Sequence, residues 1–329
     1  MTATFSDAAA CRSAVDFLKR YDRFALICHL SPDGDAIGAV FLLKLALERL
    51  GKIACVCCQD PPPENLTMLS GLCEVFASCP FDTNSYAAVA VDCGDLGRLG
   101  TCRSVFEGAV DTLNIDHHAT NEFFARLNHV ESDAAAASEI VWRLVRAMGV
   151  PCDADMGLCA YVGMATDSGN FSFSNVTPRT FLAVSQALET GFDLPGAANR
   201  LFRTRTLPKA RVLGYCLDHA QFLCGGRVAV TCITLAELQA LLAKSEDVEG
   251  ISEFLRDIDC VEASACLREL EAGGFKASLR SSDRVDVSVI AQKFGGGGHK
   301  RAAGCTLHTE KEEALRNISG LLCSALREV

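Results

Sequence analysis

The chain has 329 residues, 49% of them hydrophobic and 22% charged, which excludes a disordered or fibrous protein and suggests about two domains, each able to bury a core. Its formal net charge of -10 excludes broad electrostatic adhesion to nucleic acid, which needs many Lys and Arg to displace counterions. A short polyanion met by a metal centre and a few arginines is still allowed. No apolar stretch reaches the roughly 18 uncharged residues of a membrane span, and MTATFSDAAACRSAVDFLKR lacks the pattern of a signal peptide, so a cytoplasmic location without membrane contact is expected.

In chain order, FALICHL (24–30) reads as a buried strand and DAIGAVFLLKLALERLG (35–51) as a helix closed by Gly51. IACVCC (53–58) is a second strand. Its cysteines, like most of the 18 in the chain, sit in apolar runs, so reduced and buried thiols are expected. Cys55, Cys57 and Cys58 could bind a soft metal, but they lack paired CxxC spacing, and core packing is the simpler account. YAAVAVD (86–92) and DTLNID (111–116) add two strands. Strands alternating with helices predict an α/β domain over residues 1–195, a mostly parallel sheet flanked by helices.

Three long helical stretches follow: ASEIVWRLVRAMG, DADMGLCAYVGMAT and TPRTFLAVSQALETG. Arg203, Arg205 and Pro208 lie in LFRTRTLPKAR, within an expected connection at 196–215. Residues 216–329 then read as a second, smaller mixed α/β domain. Its strands are RVAVTCIT, CVEASACLREL and FKASLRSS, and its helices LAELQALLAK, DVSVIAQKF and EKEEALRNISGLLCSAL.

The reactive side chains fall at the ends of these elements. His29 closes the first strand, and Asp33 and Asp35 follow in HLSPDGDAIGA, where Pro32 and Gly34 enforce a turn into the helix. Asp92 closes YAAVAVD, and Asp116, His117 and His118 close DTLNI. In an open parallel sheet the carboxyl ends of the strands share one edge, so three distant segments are expected to converge where ligands bind.

Carboxylates gathered at close range raise one another's pKa unless a cation compensates them. Carboxylate and imidazole donors suit Mn or Mg, with Zn or Fe as alternatives, and a shared carboxylate allows two ions about 3.5–4 Å apart, as in phosphoester-cleaving centres. Taken singly, each piece has a plainer account. Asp33 and Asp35 serve as turn and cap residues, Asp92 as a loop aspartate, and His29 as a hydrogen-bonded core histidine. Their coincidence at one edge is what points to a metal centre.

HLSPDGDAIGA, VDCGD, NIDHHATN and ATDSGNFSFSNVTPRT resemble, in that order, the motifs of the DHH phosphoesterase superfamily, named for the triplet Asp116, His117, His118. SLRSSDRVDVSVIAQKFGGGGHKRAAG resembles the DHH-associated domain with its GGGH loop. Together the five motifs span nearly the whole chain. Chain length and the last motif look most like the short bifunctional oligoribonuclease and 3′-phosphoadenosine 5′-phosphate (pAp) phosphatase group. The superfamily's single-strand exonucleases are longer, its membrane-bound cyclic-dinucleotide phosphodiesterases carry further domains, and its inorganic pyrophosphatases end in a different second domain.

The resemblance implies two divalent ions, Mn for preference with Mg, Fe, Zn or Co as alternatives. His29 and Asp33 are implied to hold one, Asp35, His117 and Asp167 the other, and Asp92 to bridge. Asp167 comes from the resemblance alone, because it ends a helix and not a strand. Asp116 is implied to orient a neighbouring histidine, and His118 to face the scissile phosphate. In the second domain Arg280, Gly296, Gly297, Gly298 and His299 are implied to bind substrate, through the forked guanidinium and free backbone N–H groups. A surface arginine and a helix-ending turn are the plainer alternatives.

The activity so implied is hydrolysis of very short single-stranded RNA to nucleoside monophosphates, of pAp to AMP, or both. Linear or cyclic dinucleotides (pApA, c-di-AMP) are the alternative substrates. A non-catalytic nucleotide-binding module is the competing class, disfavoured by the intact ligand set. A homodimer paired through the first domain is a further implication. One departure is notable: many relatives carry an arginine where Ser172 stands between Phe171 and Phe173, and Arg203 and Arg205 are the candidate replacements, or else solvated linker charges.

Overall fold

Runs that are apolar on both faces must be covered on both sides, and those of the N-terminal half form the interior of one parallel sheet. The computed structural model describes residues 5–282 and 284–327, and the chain divides between Thr204 and Arg205 into two compact units. The expected α/β class is the one adopted.

The first unit runs α1 (Phe5–Arg20), β1 (Arg23–Ile27), α2 (Gly34–Arg49), β2 (Ile53–Cys57), β3 (Val75–Phe76), β4 (Ala87–Val91), α3 (Arg103–Glu107), β5 (Asp111–Asp116), β6 (Leu127–Val130), α4 (Ala137–Ala147), α5 (Ala154–Asp167), α6 (Pro178–Leu188) and α7 (Leu194–Ala198). Its six strands pair in parallel in the order β3-β2-β1-β4-β5-β6. From β1 the chain winds outward to β3, then returns to place β4 on the other side of β1. The connections leaving β1 and β4 therefore diverge and open a crevice at their carboxyl ends.

Helix α2 packs on α5 as well as on the sheet side, which is why AIGAVFLLKLAL is too apolar for a surface helix. The two helices approach so closely that a Cβ on Gly38 would lie 2.5 Å from the Cys159 carbonyl oxygen. On the opposite face Ala25, Ile27, Ala88 and Ala90 pack with Leu99, Val105 and Phe106 in a smaller core.

The second unit runs α8 (Leu207–Asp218), β7 (Gln221–Leu223), β8 (Val228–Ile233), α9 (Leu235–Ala240), α10 (Ile251–Arg256), β9 (Ala263–Glu269), β10 (Phe275–Ser281), α11 (Val287–Gln292), β11 (Gly297–His299), β12 (Ala302–Leu307) and α12 (Lys311–Arg327). Its strand order is β11-β12-β10-β9-β8-β7, antiparallel except for the β8–β9 pair. One face of this sheet is buried against α11 and α12, and the β8–β9 part of the other against α8, α9 and α10. The stretch 196–215, expected as a connection, is helical on both sides of the division, with a π-helical turn at Asn199–Arg203 before it and α8 after it.

Among the described residues no helix is long and apolar enough to cross a membrane. Sixteen cysteines are free, but Cys224 and Cys323 are joined as a disulfide, so the expectation of reduced thiols fails for that pair. The turn before β8 and helix α12 bring their Cα atoms to 6.3 Å, within disulfide range, across a sequence separation of 99 that hides the pairing.

Candidate metal centre and substrate face

The crevice edge gathers the side chains one element at a time. His29 follows β1, and its Nδ1–H donates to the Leu30 carbonyl at 2.8 Å, which leaves Nε2 as the free donor atom. That Nε2 lies 3.8 Å from Asp33 and 3.4 Å from Asp92. Asp33 is also the N-cap of α2, accepting from the backbone N–H groups of Asp35 and Ala36 through one oxygen while the other faces His29. The plain and the functional accounts of Asp33 therefore both hold.

Asp92 follows β4 with φ +58, the left-handed region where Asp and Asn are tolerated best. It is buried, and its two oxygens face two imidazoles: Oδ2 lies 3.4 Å from His29 Nε2, and Oδ1 lies 3.4 Å from His117 Nε2. Oδ1 is buried yet accepts no hydrogen bond. Burial alone would push its pKa up, but His117 and His29 pull it well below the usual carboxylate range.

His117 mirrors His29: Nδ1–H donates to the Ala134 carbonyl at 3.3 Å, and Nε2 meets Asp167 at 3.3 Å as well as Asp92. Asp35 and Asp167 complete that side. Burial, then Asp92 and Asp167, hold the Asp35 carboxyl well above its ordinary range. Burial pushes Asp167 up to about 6, against the pull of His117.

Three groups of possible ligands result, each with its donor atoms within 4.8 Å of one another: His29, Asp33, Asp92; Asp92, His117, His118; and Asp35, His117, Asp167. Asp92 links the first two and His117 the last two. All six side chains expected as ligands are thus brought together. An orphaned buried carboxylate oxygen among acceptor-rich neighbours fits a hard divalent cation, and the mixed carboxylate and imidazole donors fit Mn or Mg.

Asp35 owes its position to the start of α4, where the N–H groups of Ala137 and Ser138 donate to its oxygens at 2.6 and 2.9 Å. That helix start is in turn held by Glu139, fully buried, which accepts from Ala135 N–H, Thr180 Oγ1 and Arg179 Nε. Glu139→Ala is expected to cost about 3 kcal/mol, because it takes the acceptor from the Ala135 N–H and the Thr180 hydroxyl and breaks a buried ion pair, leaving Arg179 with partners such as the exposed Asp133. Urea unfolding measures the loss, and a midpoint equal to the parent's would contradict it.

Asp116 accepts from Asn121 Nδ2 at 2.6 Å and contacts His118 Nδ1 at 2.7 Å, so it fixes the orientation of His118, whose side chain is 46% exposed. That bond, opposed by burial, raises the His118 pKa above its ordinary value. Sequence reasoning missed Arg98. Its Nη2 packs 3.0 Å from His29 Nδ1, a contact and not a hydrogen bond while that nitrogen's proton goes to Leu30, and its arrival in VDCGDLGR, six residues after Asp92, was the available signal.

In the second unit His299, Ala302, Arg280 and Ser264 are successive cross-strand partners, so they share one row and one face of the sheet. Arg280 and His299 are two strands apart, about 10 Å at the usual strand spacing, so they form a shelf and not one closed pocket. Arg280 lines a concavity of about 330 Å³ with Arg268, Lys276, Ser278, Ser245 and Glu253. Its guanidinium is already paired with Glu253, at 2.8 Å from Nε and 2.5 Å from Nη2.

The glycine loop is partly paired, and as the edge strand of its sheet it keeps outward N–H groups. Gly296 N–H donates to the Ala291 carbonyl, and Gly297–His299 pair with β12. A Cβ on Gly296 or Gly298 would lie 2.2 Å from Gly304 O or 2.5 Å from Ala302 O, so close strand approach alone requires glycine at both. Gly297 and His299 are exposed on this shelf.

Comparison with known proteins agrees with this anatomy. The model of the DHH family, N-terminal domain, matches residues 23–164, and that of the DHHA1 domain matches residues 227–327. A bifunctional oligoribonuclease and PAP phosphatase, NrnA, of Thermus thermophilus is 34% identical over 281 residues, covering 85% of this chain and 82% of that one. The crystal structure of an exopolyphosphatase-related protein from Bacteroides fragilis superposes with a TM-score of 0.87 at 25% identity, covering 98% of this chain and 96% of the other. RecJ of Thermus thermophilus, solved in complex with Mn2+, shares the fold at a TM-score of 0.56 and 13% identity over 97% of this chain and 55% of its own.

Proposed function

The chain belongs to the DHH family and carries a DHHA1 domain, and from that membership we propose that it is a metal-dependent phosphoesterase that hydrolyses very short oligoribonucleotides to nucleoside monophosphates and pAp to AMP. The observation that carries the reading is Asp92, a buried carboxylate with one oxygen turned to His29 and the other to His117. Such a residue fits a bridge between two divalent cations, Mn2+ for preference, one with His29 and Asp33 and the other with Asp35, His117 and Asp167. Bound there, the cations would supply Lewis-acid stabilisation of the phosphoryl oxygens and an acidified water nucleophile.

The remaining chemistry belongs to side chains. His118, held by Asp116, donates to a phosphoryl oxygen and is close enough to the acidic edge to move a proton. Arg280 exchanges Glu253 for a substrate phosphate, and the exposed Gly297 and His299 add contacts to the rest of the nucleotide. A face of that size suits substrates of a few nucleotides. Sixteen free thiols against the single Cys224–Cys323 disulfide support a cytoplasmic location, and exposed Phe173, Phe181 and Leu182 support pairing of two copies through the first unit, tested by light scattering for a dimer mass.

Purified protein with Mn2+, labelled RNAs of graded length, pAp and pApA tests the activity. Mononucleotides are expected from the shortest RNAs and phosphate from pAp. Failure on every one of these esters defeats the proposal.

Cation binding is expected to release protons. Burial pushes His29 down, but Asp33 and Asp92 raise it to about 10, and His117 is likewise raised to about 10 by Asp92 and Asp35 against its own burial. Metal-free, these imidazolium–carboxylate contacts stabilise the fold fully below pH about 6.5 and fade as pH rises through about 10. Since the metal must displace those protons, affinity for Mn2+ should climb about tenfold per pH unit for each proton displaced between pH 7 and 9. Calorimetry in buffers of different ionisation enthalpy reads the proton count, and a count of zero contradicts the ligand assignment.

A further inference from the structure

Strand β2 alternates its side chains, so Ala54, Val56 and Cys58 enter the core beneath α2 while Cys55 and Cys57 point to the opposite face. There Cys79 arrives from the segment between β3 and β4. Cys55 Sγ lies 3.8 Å from both Cys57 Sγ and Cys79 Sγ, and all three sulfurs fall within 4.8 Å of one another. Any Cys-x-Cys strand brings two thiols to one face. The third thiol, 24 residues from Cys55 and on a separate segment, is the independent observation.

The separations exclude a disulfide and leave room for a shared ion. A disulfide needs sulfurs at about 2.05 Å, far closer than these. Sulfurs around a tetrahedral ion with metal–sulfur bonds of about 2.3 Å stand about 3.8 Å apart, the distance of Cys55 Sγ from each of the other two; paired thiols stand as close, so the convergence of three sulfurs carries the site and not the distance alone. The group contains neither carboxylate nor imidazole, and it shares its core with Ala88, Leu99 and Phe106 and with Tyr86, whose hydroxyl donates to the Val105 carbonyl. Thiolate donors select soft cations, whereas the carboxylate–imidazole edge selects hard ones. Cys55 and Cys57 are buried and Cys79 is half-buried, so an ion would enter past Cys79.

We propose that Cys55, Cys57 and Cys79 form a site for one thiophilic d10 cation, Zn2+ or Cu+, separate from the carboxylate–imidazole centre. It holds with or without the phosphoesterase reading. Its effect is to tie β2 to the segment before β4 on the face of the sheet away from α2.

The test uses the full chain, reduced and anaerobic, titrated with Zn2+ or with Cu+ against a colorimetric chelator in excess Mn2+, which keeps the hard centre filled. One Zn2+ or Cu+ per chain is expected to resist Mn2+, with at least a tenfold loss of affinity in Cys55→Ser and in Cys79→Ser. The arm that binds more tightly names the ion. Co2+ substitution gives a second readout on the unaltered protein: thiolate-to-cobalt charge transfer and intense tetrahedral bands, both lost in Cys79→Ser. Metal-free thermal melts check that the variants are folded. Unchanged affinity in Cys79→Ser, a cobalt spectrum without thiolate charge transfer, or formation of a Cys55–Cys79 disulfide in place of binding overturns the proposal.

Discussion

Asp92→Asn is expected to lower metal-dependent hydrolysis by about a thousandfold while the chain stays folded. The two parts of that outcome have separate causes. Asn is nearly isosteric and adopts the left-handed backbone almost as readily as Asp, so φ +58 at position 92 is no barrier, and the backbone bond from its N–H to the Ile115 carbonyl survives. The carboxylate function does not survive. An amide offers one oxygen where the parent offers two, and its NH2 would point at His29 or His117, whose Nε2 atoms both lie 3.4 Å away. One ligand group or the other then loses its shared member. Steady-state rates at saturating Mn2+, set beside a metal-free thermal melt, check both parts. A folded variant that keeps even a tenth of parental activity removes Asp92 from the bridging position.

Sequence made parts of this molecule legible and hid others for physical reasons. Strands β1, β2, β4 and β5 are buried on both faces, and such strands appear as uninterrupted apolar runs, so their ends could be read within a few residues. Strand β3 has two residues and β6 has four of mostly intermediate burial, LNHV; neither makes a run, and both lie at sheet edges. The residues at strand ends, His29, Asp92 and Asp116 to His118, inherited that legibility. Asp167 did not, because it closes a helix whose last turn reaches the crevice only through the packing of α5 on α2.

Tertiary contacts also supplied what no spacing could. That Asp35 is gripped by N–H groups of Ala137 and Ser138, more than a hundred residues on, follows from where α4 begins. The glycine run was visible, but its first cause is the approach of β11 to β12, which leaves Gly297 and His299 exposed on the face of Arg280. Arg280 reads as a free surface cation in sequence, whereas Glu253 on α10 already occupies its fork.

The second large effect should fall on His118. His118→Ala is expected to reduce kcat by about a hundredfold, within the usual range for a positioned acid or base, with Mn2+ affinity changed little because His29, Asp33, Asp35, Asp92, His117 and Asp167 are intact. Asp116→Asn separates orientation from charge. The Asp116 carboxylate, 2.7 Å from Nδ1, is the first cause of the raised His118 pKa, and an amide there lets that pKa fall back toward about 6.5. If protonated His118 is the form that meets the phosphate, activity declines as pH rises past its pKa, so in Asp116→Asn the alkaline decline must move to lower pH. Asn121, which donates to the other Asp116 oxygen at 2.6 Å, can still donate to an amide oxygen, so the loop keeps its shape and the shift reports on charge. Profiles of kcat/KM against pH for the parent and both variants decide the matter: an unmoved alkaline limb, or one displaced upward, would show that His118 acts in its neutral form or not at all.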